Sequence, residues 1–355
     1  YKKLNSKLLN FIASVSVFYY SIMAISKAIL FIFSIKYFFL FYKKNFSFFF
    51  TSHPYCNLDY PLEYCSRIFN CRQIAMIHSW DNIHSKLVMH FNYSKIFVWN
   101  KIMTNQLKYI YNYNKKNIYE IGIPQFDDYK INNNFLSKKE FNKLVKNKNN
   151  KKIITCFCGC PDLTPNYNKI LEQISNLFLL ENLKRKYKLI VRCHPGYDYT
   201  WTKKIADHKN TFVNIPGNLS VPMEVKNIKK SDEERKFLCS ILKYSDVIIN
   251  FFSTTAIDAV YFNKPVIGMC IDEKSKEKLP GSQLSYYYSW THYRNLMKTD
   301  GIDLCKKVND LKYIIKKVSK KKYKYQKREK IFKTQIVFRD GRTRERIANH
   351  LLELR

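Results

Sequence analysis

The sequence predicts an α/β protein of two domains, each built on a parallel sheet with helices on both faces. The chain has 355 residues, which suffices for two domains of ordinary size. Short, continuously apolar runs alternate with stretches of helical periodicity, as is typical of strands buried within a parallel sheet. A segment rich in Lys and Asn, residues 131–151, separates two such series, and we interpret it as a linker carrying one short helix.

The first domain, residues 1–130, begins with a long apolar stretch. No charged residue occurs over residues 8–26, and apolar character continues to Tyr42 with only Lys27 and Lys36 interrupting. The length would allow a membrane-spanning helix, but Ser, Tyr and Asn dilute the hydrophobicity. We interpret the stretch as buried or interfacial helices; an incomplete N-terminus and contact with an anionic lipid surface stay open as alternatives. Strands are predicted after it, over residues 46–51, 73–78, 94–99 and 117–123.

The second domain, residues 152–330, repeats the pattern. Its strands are predicted over residues 152–157, 188–193, 211–215, 246–251 and 265–269. Its helices are predicted over residues 167–187, 255–262 and 302–318, and another after a capping box of Ser231 and Glu234. Residues 331–355 are expected to form a C-terminal helix packing back near the region between the domains. Two Rossmann-like domains facing across a cleft should carry their chemistry in the loops at the carboxyl ends of the strands.

The composition constrains the partners only broadly. Lys and Arg number 62 against 28 Asp and Glu, so the formal net charge is +34. Such a charge attracts nucleotide phosphates, anionic lipid headgroups or nucleic acid, and compositional drift toward Lys is the alternative explanation. The aromatic residues lie within apolar runs rather than interleaved with Lys, which disfavours nucleic acid. The ten Cys lack paired CxxC spacing, so free thiols, a reducing compartment and no metal are expected.

One predicted strand end of the first domain carries His78 and Asp81 in the run HSWDN. Either side chain could accept a proton from an acceptor hydroxyl. The alternative is a turn in which Asp81 and Asn82 cap the following helix.

Two strand ends of the second domain suit phosphate. Arg192 and His194 lie in the run RCHP, where a guanidinium can hold a phosphate bidentately and an imidazole can donate to a leaving-group oxygen. The alternative is that Arg192 pairs with a nearby acid.

The other strand end carries hydroxyl groups before a helix. Ser253, Thr254 and Thr255 precede or begin a helix whose first N–H groups favour a diphosphate. Asp258, about one turn further along, could reach a ribose. Ordinary helix capping is the alternative for the whole group.

Other residues carry weaker signals. His53 and Asp59 follow the first strand, His292 follows a tyrosine-rich segment, and Lys86 could lie near the cleft or in solvent. The sequence contains no Walker loop, GxGxxG, HExxH or GxSxG motif, which weakens kinase, NAD-dependent, zinc-protease and hydrolase interpretations.

The runs HSWDN, RCHP, SDVIINFFSTTAIDAVYFNKPVIGM and FRDGRTRERIANHLLE occur in this order. Together they resemble GT-B surface-polymer transferases of the CDP-glycerol glycerophosphotransferase-like and capsule glycosyltransferase group, with UDP-N-acetylglucosamine 2-epimerases as more distant relatives. The resemblance implies a GT-B fold whose second domain binds a nucleotide-activated donor and whose first domain supplies the base. These roles carry over to Arg192, His194, Ser253, Thr254, Thr255 and Asp258 for the donor, and to His78 or Asp81 for the base.

The expected function is metal-independent transfer of a sugar from a nucleotide sugar to a surface-polysaccharide or lipid-linked acceptor, without a cofactor. HSWDN stands where the glycerophosphotransferases typically have a Gly-rich His loop, which favours a sugar donor. Transfer of glycerol or ribitol phosphate from a CDP-polyol is the alternative, and a basic nucleic-acid-binding protein is the alternative of another class. An epimerase would need several acids around the sugar, and acids are scarce in these loops. We expect a cytoplasmic protein, with peripheral attachment to the inner face of the membrane as a variant of that expectation.

Overall fold

The computed structural model describes residues 16–56, 59–85, 89, 92–160, 167–195, 200–216, 232–272, 284–320 and 322–353. The chain divides into two compact units. One holds the residues up to Val98, Met103–Ile121 and the chain from Arg346 onward; the other holds Trp99–Ile102 and Gly122–Glu345.

The first unit contains a four-stranded parallel sheet. Its strands are β1 (Phe48–Thr51), β2 (Arg72–Met76), β3 (Lys95–Val98) and β4 (Ile118–Glu120), in the order β1-β2-β3-β4. Every neighbouring pair is parallel, so all carboxyl ends lie along one edge of the sheet. The four predicted strands are thereby confirmed. The helices of this part of the chain are α1 (Ser16–Lys43), α2 (Tyr60–Ile68), α3 (Asn82–Ser85) and α4 (Lys101–Tyr111).

Helix α1 was predicted to be buried or interfacial. Its 28 residues run continuously, and the side chains of Ile32, Phe33 and Phe39 are 63%, 63% and 65% exposed. Among its described side chains, a stripe that includes Phe41 packs against the residues of α2 and its neighbourhood. The described part of α1 is therefore not a buried helix, and the interfacial alternative stays a prediction. Among the helices of the described residues, none is long and apolar enough to cross a membrane.

Helix α2 buries a carboxylate whose charge the fold disfavours. Glu63 is 2% exposed, and its nearest cation is Arg67, with 3.7 Å between Nη2 and Oε1. Burial raises the pKa of Glu63 to about 7, although the Tyr93 hydroxyl and Arg67 oppose that shift. The folded state therefore binds this proton more tightly than the unfolded chain does.

This pKa predicts a pH-dependent stability. Because the folded pKa lies above the ordinary value, the stability that Glu63 contributes is fully present below about pH 4.5 and is lost as pH rises through about 7. Relative to Glu63→Gln, we expect the native protein to lose about 3 kcal/mol of unfolding free energy between pH 5 and pH 8. Urea denaturation of both proteins across this pH window measures the difference. Parallel stability curves for the two would contradict it.

The second unit contains a six-stranded parallel sheet. Its strands are β5 (Lys152–Phe157), β6 (Tyr187–Arg192), β7 (Thr211–Asn214), β8 (Val247–Asn250), β9 (Val266–Met269) and β10 (Asp303–Cys305). The order is β10-β9-β8-β5-β6-β7, and every pair is parallel. From β5 the chain winds to β6 and β7 on one side, then crosses to β8 on the other. The sheet therefore has a switch point between β5 and β8, where open α/β sheets bind ligands at their carboxyl ends.

The remaining helices follow along the chain to its C-terminal part, and in the last of them Ile347 and Leu351 pack against the core of the first sheet. They are α5 (Lys138–Leu144), α6 (Tyr167–Leu177), α7 (Glu181–Lys186), α8 (Lys203–Ala206), α9 (Asp232–Tyr244), α10 (Thr255–Tyr261), α11 (Leu284–Tyr288), α12 (Thr291–Met297), α13 (Leu311–Val318), α14 (Tyr325–Ile331) and α15 (Thr343–Leu352). The strands supply buried apolar residues such as Ile154 and Ile249, and α6 and α13 add Leu171, Ile174 and Ile315. The architecture confirms an α/β fold with two parallel sheets.

Two predicted helices of the second unit have different limits. Residues 167–187 form two helices, because the chain turns between Leu177 and Leu180 and Tyr187 already belongs to β6. Residues 302–318 begin with β10, and the helix starts only at Leu311.

The predicted linker is an integral part of the second unit. Its helix α5 begins with a capping box of Ser137 and Glu140, and Phe141 is fully buried against Phe237 and Tyr244 of α9. The boundaries of the two units therefore differ from the predicted domain boundaries. The predicted capping residue Ser231 lies outside the described residues.

Candidate functional site

The carboxyl edge of the second sheet brings the predicted donor-binding loops together. Phe157, the last residue of the central strand β5, pairs with Arg192 of β6 on one side and with Asn250 of β8 on the other. The residues after these strands, including His194 and Ser253, therefore emerge from the same edge. Two strand spacings separate β6 from β8, which amounts to about 10 Å. The arrangement matches the prediction that His194 and Ser253 share one end of the sheet.

Asn250 organises the loop that follows β8. It is 1% exposed, and its amide nitrogen donates to Ser253 Oγ at 2.8 Å and to Thr255 Oγ1 at 2.5 Å. Its amide oxygen accepts from the backbone N–H of Ser253 at 2.9 Å. The two hydroxyl oxygens lie 2.5 Å apart. One buried amide thus holds the hydroxyl groups before α10 in a defined position.

Two buried tyrosines complete this cluster. The Tyr293 hydroxyl lies 2.7 Å from the Ser253 carbonyl and 3.1 Å from Asn250 Oδ1, both of which accept. The Tyr288 hydroxyl donates to the Asn250 carbonyl at 3.3 Å. The loop bends at Phe252, whose φ of +36° is unusual for a residue with a side chain. Backbone held in this region tends to occur at functional sites.

Gly268 of the neighbouring strand β9 lies where a side chain would meet Tyr288. It pairs with Asn250, and a Cβ at this position would lie 2.7 Å from the Tyr288 hydroxyl. Any larger residue would push Tyr288 away from Asn250. The glycine in the run KPVIGM is therefore part of the support for this loop.

A contact with the backbone fixes the orientation of the His194 ring. Its Nδ1 lies 2.9 Å from the Pro195 carbonyl, which can only accept, so Nδ1 carries the proton. In the neutral ring Nε2 is then the unprotonated nitrogen, and in the charged ring it is a donor. This geometry is compatible with the predicted contact to a leaving-group oxygen.

Arg192 pairs with an acid, which is the alternative that the sequence analysis left open. Its side chain is 8% exposed, Nη2 bonds Glu234 Oε1 of α9 at 2.5 Å, and Nη1 donates to Asn214 of β7. Through these contacts Arg192 joins β6, β7 and α9. The predicted contact of Arg192 with the donor stays a prediction.

This pairing changes the expected effect of removing Arg192. Alanine at this position would leave Glu234 without its cation in a mostly buried site, so unfolding should become easier by about 3 kcal/mol. Removing both partners in Arg192→Ala/Glu234→Gln should restore part of that loss. Thermal denaturation of the wild-type protein, Arg192→Ala and the double variant measures it. Full stability of the single variant would show that the pair is unimportant.

Asp258 and Thr254 also depart from expectation. Asp258 Oδ1 accepts a 2.5 Å hydrogen bond from the hydroxyl of Tyr129, so this carboxylate is engaged within the protein. Burial first, and then Asp258, raises the pKa of Tyr129 well above its ordinary value. Thr254 precedes α10 but makes no side-chain capping bond, so the alternative of capping by its hydroxyl is not what the structure shows. A ribose contact by Asp258 stays a prediction.

The first unit contains a pair of histidines at the carboxyl ends of its sheet. The rings of His53, after β1, and His78, after β2, lie 4.5 Å apart between centroids. His78 Nδ1 lies 3.0 Å from the Ser52 carbonyl, which can only accept, and 3.2 Å from the Asn82 amide nitrogen, which can only donate. The two contacts require opposite tautomers of the ring, so they do not fix which nitrogen carries the proton. His53 is exposed, so this pair faces solvent at the edge where the predicted base should lie.

Asp81 is engaged by its own helix. Its Oδ1 accepts from the Ser79 hydroxyl, and its Oδ2 accepts from the Ser85 hydroxyl at 2.8 Å. Its carbonyl accepts from the N–H groups of His84 and Ser85. Both carboxylate oxygens are thus bonded to serine hydroxyls, and the role of Asp81 as a proton acceptor stays a prediction.

The weaker candidates are distributed as follows. Asp59 precedes α2 without a side-chain capping bond, and His292 of α12 packs against the rings of Trp290 and Tyr293. Lys86 lies outside the described residues. The ten cysteines are free thiols.

Sequence reasoning missed the residues that position the site. Asn250, Tyr288, Tyr293 and Glu234 were not candidates. The one signal available for Asn250 was a polar residue at the end of the apolar run VIIN. Tyrosines from a later segment leave no such signal, because their partners are distant in sequence.

The chain matches a known family over most of its length. Residues 72–353 match the profile of the family described as CDP-Glycerol:Poly(glycerophosphate) glycerophosphotransferase. No curated protein sequence matches the chain.

Solved structures with a similar fold include UDP-GlcNAc 2-epimerases. The enzyme from Methanocaldococcus jannaschii has a TM-score of 0.57 and 13% identity, over 90% of this chain and 81% of that chain. The S. aureus MnaA–UDP co-structure has a TM-score of 0.58 and 12% identity, over 93% and 82%. A putative epimerase from Listeria monocytogenes has a TM-score of 0.59 and 11% identity, over 90% and 77%. At these identities the likeness shows the fold alone.

Proposed function

Because the chain belongs to the CDP-glycerol:poly(glycerophosphate) glycerophosphotransferase family, we propose that it transfers a polyol phosphate from a CDP-activated donor. The acceptor would be a hydroxyl of a surface polymer or of a lipid-linked precursor. The family makes the chain a transferase; the donor and the acceptor are the proposed parts.

The observation that carries this proposal is the loop after β8. Asn250 holds the hydroxyls of Ser253 and Thr255 beside the switch point of the sheet, and His194 emerges from the same edge two strands away. Hydroxyl donors and an imidazole at this position suit the oxygens of a diphosphate. Of the described acidic residues of this unit, Glu234 is paired with the Arg192 cation and Asp258 accepts a hydrogen bond from the Tyr129 hydroxyl.

The chemistry follows from the donor. The acceptor oxygen would attack the phosphorus that carries the polyol, the bond from that phosphorus to the bridging oxygen would break, and CMP would leave with the bond's electron pair. In its charged form the His194 ring would donate from Nε2 to the departing phosphate, and the hydroxyls of Ser253 and Thr255 would stabilise the charge that develops on it. We assign acceptance of the acceptor's proton to His78 rather than Asp81, because both carboxylate oxygens of Asp81 are bonded to serine hydroxyls.

A nucleotide sugar is the second candidate donor. The run HSWDN replaces the Gly-rich His loop of the family, and one structure of similar fold is a complex with UDP. The same contacts would serve a departing nucleoside diphosphate, since both reactions develop negative charge on phosphate.

A donor panel separates the two candidates. CDP-glycerol, CDP-ribitol, UDP-GlcNAc and UDP-glucose are tested by thermal shift, and then by mass spectrometry for release of CMP or UDP in the presence and absence of EDTA. We expect stabilisation by CDP-polyols, lost in Ser253→Ala/Thr255→Val, and turnover that EDTA leaves unchanged. The matched control is Ser175→Ala/Thr211→Val, which removes two hydroxyls that bond each other at the amino end of β7, the opposite edge of the sheet. Stabilisation by UDP-sugars alone would favour the second candidate, and stabilisation by no nucleotide would contradict both.

A further inference from the structure

A basic cavity lies on α5 and the loop that follows this helix. Its volume is about 500 Å³, and every residue that lines it is Lys or Asn. The lysines of the lining are Lys138, Lys139, Lys143, Lys146 and Lys148. A concave surface with this many ammonium groups concentrates a positive potential and attracts anions.

The positive charge of the cavity is not balanced by ion pairs. Residues 138–152 contain seven lysines and a single acid, Glu140. Within the part of the chain that the structure describes, none of the lining lysines forms an ion pair, whereas Lys324 and Lys327 of the later lysine-rich segment both pair with Asp300. The cavity therefore carries charge that an external anion could neutralise.

A buried lysine is coupled to this charge. Lys188 is 3% exposed, and its ammonium donates to the Lys209 carbonyl at 3.2 Å. Burial, followed by the charges of Lys151 and Lys146, lowers the pKa of Lys188 to about 8. The like charges thus repel one another in the unliganded protein, and a bound anion would reduce that repulsion.

Asparagine side chains fix the shape of the cavity. Asn147 is 3% exposed, donates to the Lys151 carbonyl at 2.9 Å and accepts from the Lys151 N–H at 3.1 Å. Asn142 is 8% exposed and donates to Asn150 Oδ1 at 2.7 Å. The backbone turns at Lys146 and Asn150 with φ of +55° and +49°. The lysines are therefore carried by a loop of defined conformation.

The cavity lies near the edge of the second sheet that is opposite the proposed diphosphate site. Lys152 begins β5, and Lys151 Nζ donates to Asn210, which directly precedes β7. The six residues of β5 separate this amino edge from the carboxyl edge by about 20 Å. The ligand of the cavity is therefore not the donor bound at the carboxyl edge.

We propose that this basic cavity binds a poly(polyol phosphate) chain, the polymer that the transfer reaction would extend, at a second site remote from the donor. The identity of the chain rests on the proposed function. Repeated phosphodiesters on a flexible backbone suit several lysines spread along one helix and one loop, because an ammonium group binds phosphate as a point charge from many directions. A polymer held here has a raised effective concentration at the enzyme.

Single-stranded nucleic acid has the same phosphate chemistry but fits the cavity less well. Proteins that bind it without sequence preference stack its bases on aromatic side chains. None of the described residues that line the cavity is aromatic. The lining therefore offers contacts to phosphates and hydroxyls and none to bases.

Fluorescence anisotropy with the full chain and a labelled oligomer of about ten glycerol phosphate units tests the site. We expect binding that weakens as salt rises, with a Kd raised by at least about tenfold in Lys139→Gln/Lys143→Gln/Lys148→Gln. These three lysines are exposed, so the fold should stay intact. With the donor identified in the panel, this variant should keep the wild-type kcat on a monomeric acceptor and show a raised KM for the polymer.

The matched control is Lys298→Gln/Lys316→Gln/Lys333→Gln, which removes the same charge from exposed lysines of the same unit that do not line the cavity. It should bind the oligomer like the wild-type protein, and both variants should melt like it. Absence of binding by the wild type, or equal loss in both variants, would overturn the proposal. So would tighter binding of an oligothymidine of equal length, or displacement of the oligomer by inorganic phosphate at the same phosphate concentration.

The binding test is independent of the reaction because it needs no donor. Oligomer binding without a response in the donor panel would contradict the proposed transfer and support the cavity as a polyanion site. A response in the donor panel without oligomer binding would contradict the cavity alone.

Discussion

The variant His194→Ala is expected to lose turnover by about 10²- to 10⁴-fold while keeping its thermal stability within a few degrees. The expectation rests on the ring orientation, because the bond from Nδ1 to the Pro195 carbonyl makes Nε2 the nitrogen that would donate to a departing phosphate when the ring is charged. An imidazole that donates to a leaving group acts mainly in the transition state, so kcat should fall more than KM rises. Steady-state kinetics with the donor identified in the panel measure this split.

His208→Gln is the matched control for this prediction. His208 lies in the same unit, but its ring bonds Ser175 before the amino end of β7, at the opposite edge of the sheet. It should keep near wild-type kcat and KM. Equal loss in both variants would assign the effect to stability, and full activity of His194→Ala would remove His194 from the reaction.

The second large effect is expected for Asn250→Asp. The hydroxyls of Ser253 and Thr255 can turn to donate to a carboxylate, and the Ser253 N–H already does so toward Oδ1, so the loop should keep its shape. The substitution nevertheless places a negative charge beside the proposed diphosphate and takes the hydroxyl protons away from it. We expect kcat/KM to fall by about 10²- to 10³-fold, comparable with the loss of one oxyanion donor.

Asn210→Asp provides a control with the same chemical change. Asn210 is 4% exposed, and its amide donates to the carbonyls of Phe178 and Tyr187, away from the carboxyl edge. This variant should lose stability, because two buried carbonyls lose their donor. Its donor KM should stay near the wild-type value. If Asn250→Asp binds the donor as tightly as the wild-type protein, the diphosphate does not lie against this loop.

Strands were predicted correctly where a buried strand is long enough to form a continuous apolar run in the sequence. Strands β5 and β6 are continuously apolar because helices cover both faces of their sheet. Strand β10 was missed, since its three residues, Asp303–Cys305, run through a turn into α13 and look like the start of one amphipathic helix. The sequence left α1 open between buried and interfacial helices, because an apolar side chain gives the same signal in the sequence whether or not a partner covers it.

By itself the sequence determined the alternation of strands and helices, and with it the carboxyl edge of each sheet, from which His78 of the first unit and His194 and Ser253 of the second emerge. Parallel strands place their carboxyl ends on one side, so this result needs no knowledge of side-chain contacts. Only the tertiary structure decided which partner each polar group has. Arg192 meets Glu234 across 42 residues of sequence, Asp258 meets Tyr129 across 129, and Asn250 meets Tyr293 across 43. Hydrogen bonds act over about 3 Å, and such distances between remote residues exist only once the backbone has folded.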